Sequence, residues 1–152
     1  MNLTIERPTP DDAKALVNIE IAAFHHDTVL YGVPQGGPPG YDSIEVTRQK
    51  MTAHHYFKFV YEGQIVGGLV AMEMADEHFH LDLIYVAPEY HNLGIGTEAM
   101  QYILRAYPAA KWTLDTPIWA VRNHHFYEKF GFVNVKVTDY EDITLITYGR
   151  TA

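Results

Sequence analysis

Leu81-Asp82-Leu83-Ile84-Tyr85-Val86-Ala87-Pro88-Glu89-Tyr90-His91-Asn92-Leu93-Gly94-Ile95-Gly96-Thr97 reads as a strand, a loop and the start of a helix. Leu81–Val86 has the apolar density of a buried strand, Pro88 to Asn92 is a loop, and Gly94 to Thr97 opens an amphipathic helix. Two glycines without Cβ let a ligand approach the backbone closely. The first amides of a helix have no internal partner and sit at the positive end of its dipole, which suits phosphate oxygens. A strand leading into such a site predicts an enzyme that uses a phosphate-bearing cofactor.

On the C-terminal side, Ala99, Met100, Ile103, Leu104 and Tyr107 recur at helical spacing until Pro108 stops the helix. Lys111–Thr116 is a further strand. Asn123 is placed to cap a short helix that ends at Gly131, and Phe132–Thr138 with Ile143–Gly149 make a closing pair of strands. On the N-terminal side, Leu3–Arg7 alternates as a strand, and Thr9-Pro10-Asp11-Asp12 is a helix start. Leu16, Val17, Ile19, Ala23 and Phe24 give that helix its apolar face. Tyr31 to Tyr41, with four glycines and three prolines, cannot hold a helix and reads as a connector or a pocket wall. Ser43 to Ala53 is a second helix; Tyr56–Tyr61 and Gln64–Met74 are strands joined at Glu62-Gly63, and Phe79–Val86 follows. The order β-α-α-β-β-β-α-β-α-β-β predicts an α/β fold with a mixed sheet, in a single domain over 1–152.

The chain has 152 residues, no cysteine and a formal net charge of −8. Disulfides, thiolate metal sites and a cysteine nucleophile are excluded. The charge argues against sequence-independent nucleic-acid binding and is compatible with a cationic substrate. No apolar run approaches the ~20 residues of a membrane span, and no signal peptide is visible, so the expectation is a cytoplasmic protein. The histidine pairs 25-26, 54-55 and 124-125 are poor chelates. His78-x-His80-x-Asp82 is better spaced, but no second ligand cluster accompanies it, and no metal is expected.

Gly94-Ile95-Gly96-Thr97-Glu98-Ala99 also fits the G-x-G-x-x-[GA] dinucleotide pattern, with Asp115 about 20 residues on. That turn requires its first glycine directly after the strand, whereas Ala87 to Leu93 intervenes here. A second stretch decides otherwise. Asn123-His124-His125-Phe126-Tyr127-Glu128-Lys129-Phe130-Gly131-Phe132 follows a strand and enters another. With Gly94 and Gly96, the positions Asn123, Tyr127, Gly131 and Phe132 resemble the GNAT (GCN5-related N-acetyltransferase) family. Its signature is [QR]-x-x-G-x-[GA], followed by an Asn and Y-x-x-x-G-F. His91 stands at the Gln/Arg position, and Leu93 where a basic residue is frequent, which predicts modest acetyl-CoA affinity.

The resemblance implies direct transfer of acetyl from acetyl-CoA to an amine. Strand amides at Ile84, Tyr85 and Val86 would hold the thioester and pantetheine arm, and one aimed at the carbonyl would stabilise developing negative charge. The loop from His91 through Asn92, Leu93, Gly94, Ile95, Gly96 and Thr97 would take the diphosphate. By resemblance, Asn123 contacts the pantetheine arm, and Phe126 and Lys129 lie near the cofactor. Tyr127, whose phenol type titrates near ~10, is the candidate general acid for the departing thiolate. For the base, His80 falls where many relatives carry a glutamate; Asp82, sharing the strand face of His78 and His80 by alternation, would orient it or act through water, and Glu73 is a further option. The acceptor, a small-molecule or peptide amine, would be met by Phe24, His25, Tyr31, Tyr41 and Glu45. The strands Phe132–Gly149 offer a surface for a homodimer. A non-catalytic acyl-CoA-binding or sensor module is the alternative.

Overall fold

The computed structural model describes all 152 residues. Seven strands, β1 (Leu3–Glu6), β2 (His55–Tyr61), β3 (Gln64–Glu73), β4 (His78–Val86), β5 (Lys111–Pro117), β6 (Val133–Asp139) and β7 (Thr144–Thr151), form one sheet. Four helices complete the fold: α1 (Ala13–Tyr31), α2 (Ile44–Ala53), α3 (Ile95–Ala106) and α4 (Val121–Glu128). Strand order is β1-β2-β3-β4-β5-β7-β6. Every neighbouring pair is antiparallel except β4–β5, which is parallel and therefore needs the crossover that α3 provides.

Local chemistry sets the element ends. A capping box between Thr9 and Asp12 starts the first turn before α1, and Gly32 ends α1 in the left-handed conformation (φ 65°). Ser43 caps α2 by accepting the Val46 amide at 3.1 Å. Glu62 and Gly63 both take positive φ, the requirement of a two-residue hairpin turn between β2 and β3. Asn123 does not cap α4. The turn Pro117–Ala120 winds the chain early, so the helix begins at Val121 and Asn123 lies inside it. Its Nδ2 donates instead to Thr116 Oγ1 at 3.4 Å.

Alternation along the strands divides the core in two. Phe57, Phe59, Leu69, Ala71, Leu81, Trp112 and Leu114 pack against Ile95, Ala99, Met100 and Ile103 of α3. Tyr56, Val70, Leu83 and Tyr85 pack on the other face against Leu16 and Ala23 of α1. Strict alternation fails once on β4. Val70 pairs with Leu83 and Ala71 with Leu81, so Asp82 is an extra residue, a β-bulge. Leu81 and Ile84 therefore face the α3 side, whereas Leu83 and Tyr85 face α1. On the outer edge, β6 exposes Val133, Val135 and Val137. No helix is long and apolar enough to cross a membrane.

Candidate active site

The parallel pairing of β4 with β5 stops early. It runs from His78/Lys111 to Leu81/Leu114, whereas β4 continues to Val86 and β5 to Pro117. The two strands part after Leu81, directly beside the bulge at Asp82. The backbone of Asp82–Val86 on that side has no strand partner, and an extended ligand can hydrogen-bond there as a strand would.

At the far end of β4, the short turn Pro88–Tyr90 leads to Gly94, which takes φ 83° and starts α3. A Cβ on Gly94 would meet only the Met1 terminal methyl at 3.9 Å, so the space over this amide is open. Asn92 also holds a positive φ, of 66°. Glu98 is the first amide to bond back into the helix, to the Gly94 carbonyl, which leaves those of Ile95, Gly96 and Thr97 facing outward. The Phe126 ring packs 3.5 Å from where a Gly96 Cβ would stand and forms the floor. Open amides over two glycines, continuous with an unpaired strand edge, fit a diphosphate and its extended arm. His91 is already engaged: its Nε2 donates to the Val86 carbonyl at 2.7 Å, and its ring lies 5.4 Å from that of His26. Leu93 and Lys129 are exposed.

Tyr127 comes from α4 and packs among Phe126, Phe132 and Tyr148. Only 8% of it is exposed, yet its hydroxyl makes no hydrogen bond to the protein. No fully buried side-chain nitrogen or oxygen in the molecule lacks a partner, so this hydroxyl keeps access to solvent. Burial, and then the Asp27 carboxylate, push its pKa up, and the phenol stays protonated.

His80 Nδ1 and His78 Nε2 both lie 2.7 Å from Thr113 Oγ1. His80 Nε2 lies 3.7 Å from Asp115 Oδ2. Thr113 has one hydroxyl proton, so it donates to one ring and accepts from the other. Burial, Lys111 and His80 lower the pKa of His78, which favours its neutral form. In the tautomer where His78 Nε2 accepts from Thr113, Thr113 accepts the Nδ1 proton of His80, and the His80 Nε2 lone pair then faces Asp115. Asp82 is not the orienting group. The bulge turns it to Lys50, at 2.8 Å, and the triplet His78, His80 and Asp82 does not converge. Behind that ion pair, Glu20 is 1% exposed and accepts Thr47 Oγ1 at 3.2 Å; burial pushes its pKa up to about 8. Glu73 lies exposed at the end of β3.

Of the residues assigned to the acceptor, Phe24, His25 and Tyr41 meet. Phe24 and Tyr41 are edge-on at 6.0 Å, and His25 Nε2 is 2.7 Å from the Tyr41 hydroxyl. Tyr31 packs on Trp119 at 5.5 Å and accepts the Arg122 amide at 2.9 Å, joining the end of α1 to the loop before α4. Glu45 is not part of this group; it is exposed on the outer side of α2 beside Arg48 and Gln49. A cleft of about 320 Å³ opens beside Trp119, walled by Val33, Pro34, Ile118, Tyr140 and Ile143.

A family model described as Acetyltransferase (GNAT) family matches residues 20–132. The chain belongs to the GNAT acetyltransferase family. Among solved GNAT-fold structures, the PaiA N-acetyltransferase of Thermoplasma acidophilum, in complex with coenzyme A, superposes with a TM-score of 0.79 at 16% identity, covering 100% of both chains. The ribosomal-protein-S18-alanine N-acetyltransferase of Escherichia coli gives 0.81 at 16% identity over 98% of this chain and 93% of that one. Ard1 from Thermoplasma volcanium gives 0.77 at 19% identity over 100% and 99%. In sequence, the uncharacterized protein YrkN of Bacillus subtilis is 40% identical over 79 residues, 50% of this chain. The match spans 43% of that relative's length. The GNAT motif located the loop, Asn123 and Tyr127 in sequence. It gave no signal for Thr113 or Asp27, which reach the site only through the register of β4 on β5 and the path of α1. Asp115 was visible at a dinucleotide spacing, but here one of its oxygens accepts the Thr147 hydroxyl and the other faces His80.

Proposed function

We propose that this GNAT protein transfers acetyl from acetyl-CoA to a primary amine of a small molecule or peptide. The observation that carries this reading is the parting of β4 from β5 with the solvent-accessible Tyr127 hydroxyl. Open amides of Ile95–Thr97 would bind the diphosphate, the Asp82–Val86 edge the arm, and Asn123 and Phe126 its flank. The amine nitrogen attacks the thioester carbon, the new N–C bond forms, and the C–S bond breaks. Tyr127 gives its proton to the leaving sulfur, and His80, set by Thr113 and Asp115, accepts one from the amine. The cleft beside Trp119, with Tyr31, is the proposed acceptor entrance. The PaiA and S18-alanine enzymes, named as N-acetyltransferases, support the class of reaction.

The test is release of coenzyme A with a panel of amines and short peptides. The chain has no cysteine, so a thiol reagent reads only the released product. Tyr127→Phe should lower turnover by the roughly 10²–10⁴-fold typical of acid–base groups with acetyl-CoA binding kept. The second reading, an acyl-CoA-binding module, draws on His91, whose ring donor is spent on Val86 rather than free for phosphate. Tight acetyl-CoA binding with no thiol release from any acceptor would favour it.

A further inference from the structure

The second half of α1 crosses the mouth of the gap between β4 and β5. Phe24 touches Tyr85 of β4 (6.3 Å), His26 meets His91 of the cofactor loop, and Tyr31 reaches Trp119 and the first turn of α4. Asp27 lies between these three anchors, one turn before Tyr31. It is half-buried, and its carboxylate makes no hydrogen bond or ion pair with any side chain, unlike Asp12, Asp82 and Asp115. Tyr127 lies on α4, which Tyr31 reaches one turn further on, and its hydroxyl also has no protein partner. The two oxygen groups make no direct hydrogen bond, but the Asp27 charge acts on the phenol.

The reaction leaves a proton problem here. Once Tyr127 has protonated the sulfur it is a phenolate in an apolar pocket, and the amide nitrogen has shed a proton that must go elsewhere. We propose that Asp27 is the proton partner of Tyr127, returning a proton to the phenolate after each transfer; this rests on the acetyltransferase reading above. In balance, the carboxylic acid of Asp27 gives its proton through intervening water to the phenolate, and the carboxylate recovers one from the medium, which has received the amine's proton through His80. No electrons change hands, and the net transfer is one proton from nitrogen to sulfur.

The electrostatics agree with this placement. Asp27 is the charge that acts on the Tyr127 phenol, and burial raises the Asp27 pKa against the pull of His91, His26 and Arg122. Those four groups, from the cofactor loop, α1 itself and α4, are the titratable neighbours that face it. A carboxyl held above its ordinary range is a better proton carrier near neutrality than an exposed aspartate.

The experiment compares wild type, Asp27→Asn, Asp27→Glu, Tyr127→Phe and the double variant Asp27→Asn/Tyr127→Phe, in steady-state turnover across pH and in tyrosine ring-carbon NMR titration. Asp27→Asn should lower kcat about tenfold or more with KM for acetyl-CoA held within about twofold, and Asp27→Glu should recover part of the loss. In the double variant the Asn change should cost nothing further, because it acts only through Tyr127. The Tyr127 resonance, assigned by its loss in Tyr127→Phe, should titrate at lower pH in Asp27→Asn, since a neighbouring negative charge opposes phenolate formation. Undiminished kcat in Asp27→Asn, or losses that multiply in the double variant, would overturn the proposal while leaving the acetyltransferase reading intact. A wild type that releases no coenzyme A with any amine overturns both.

Discussion

Glu20 and His80 show how a single side chain is set by what surrounds it. Glu20 is sealed between α1, α2 and the sheet, with its pKa raised from 4.5 to about 8. The unfolded chain ionises this group as pH passes 4.5, while the folded chain holds it protonated to about 8. Its contribution to stability is therefore full at low pH and declines as pH rises through that window, by a few kcal/mol in order of magnitude. Glu20→Gln should flatten the fall, giving urea unfolding free energies at about pH 5 and about pH 8 closer together than in wild type; parallel curves would refute the assignment. For His80, the structure replaces a carboxylate two residues along the strand with Thr113 and Asp115 on the neighbouring one. His80→Ala should remove the acidic limb of the pH–rate profile, whereas Asp82→Asn should leave that limb in place. Initial rates measured across pH decide between them.

The loop-helix element around α3 was legible because its chemistry is local. Glycines at 94 and 96, apolar spacing from Ala99 to Ile103 and Pro108 all announce themselves in sequence, and Gly94 uses its freedom at φ 83°. Gly94→Ala should cost ~1–2 kcal/mol through the left-handed backbone alone, because its Cβ meets nothing closer than 3.9 Å. It should also weaken coenzyme A binding, since the methyl would stand where a phosphate approaches; thermal melts and calorimetric titration separate the two effects. Element order and the glycine turn before α3 follow from such local rules. The bulge at Asp82, the early start of α4 and the removal of Glu45 from the aromatic group did not. Each depends on which residue of a distant strand or turn lies opposite, and no local pattern encodes that register.

The whole molecule is built around an incomplete sheet. One ladder that stops at Leu81/Leu114 leaves a slot through which α1, the cofactor loop and α4 face one another. A ligand that fills the slot binds the folded chain and not the unfolded one. Acetyl-CoA at about 100 times its Kd should therefore add ~2.7 kcal/mol, a rise in Tm of roughly 5–10 °C for a chain of this size, measured by differential scanning calorimetry. Amines alone should shift it far less. The single inserted residue in β4 carries a further message about how this sheet tolerates change. Side chains on a strand keep a two-residue frame, and Asp82 shifts that frame midway. Deleting it would leave Leu83 and Tyr85 facing α1 and Ile84 and Val86 facing α3, because the register on β3 resumes unchanged on either side of the bulge; what would go is the local bend and the ion pair with Lys50. The ladder thus absorbs the inserted residue, whereas a residue gained or lost between Leu83 and Val86 would exchange the two linings of the slot; there the spacing itself is the inherited information.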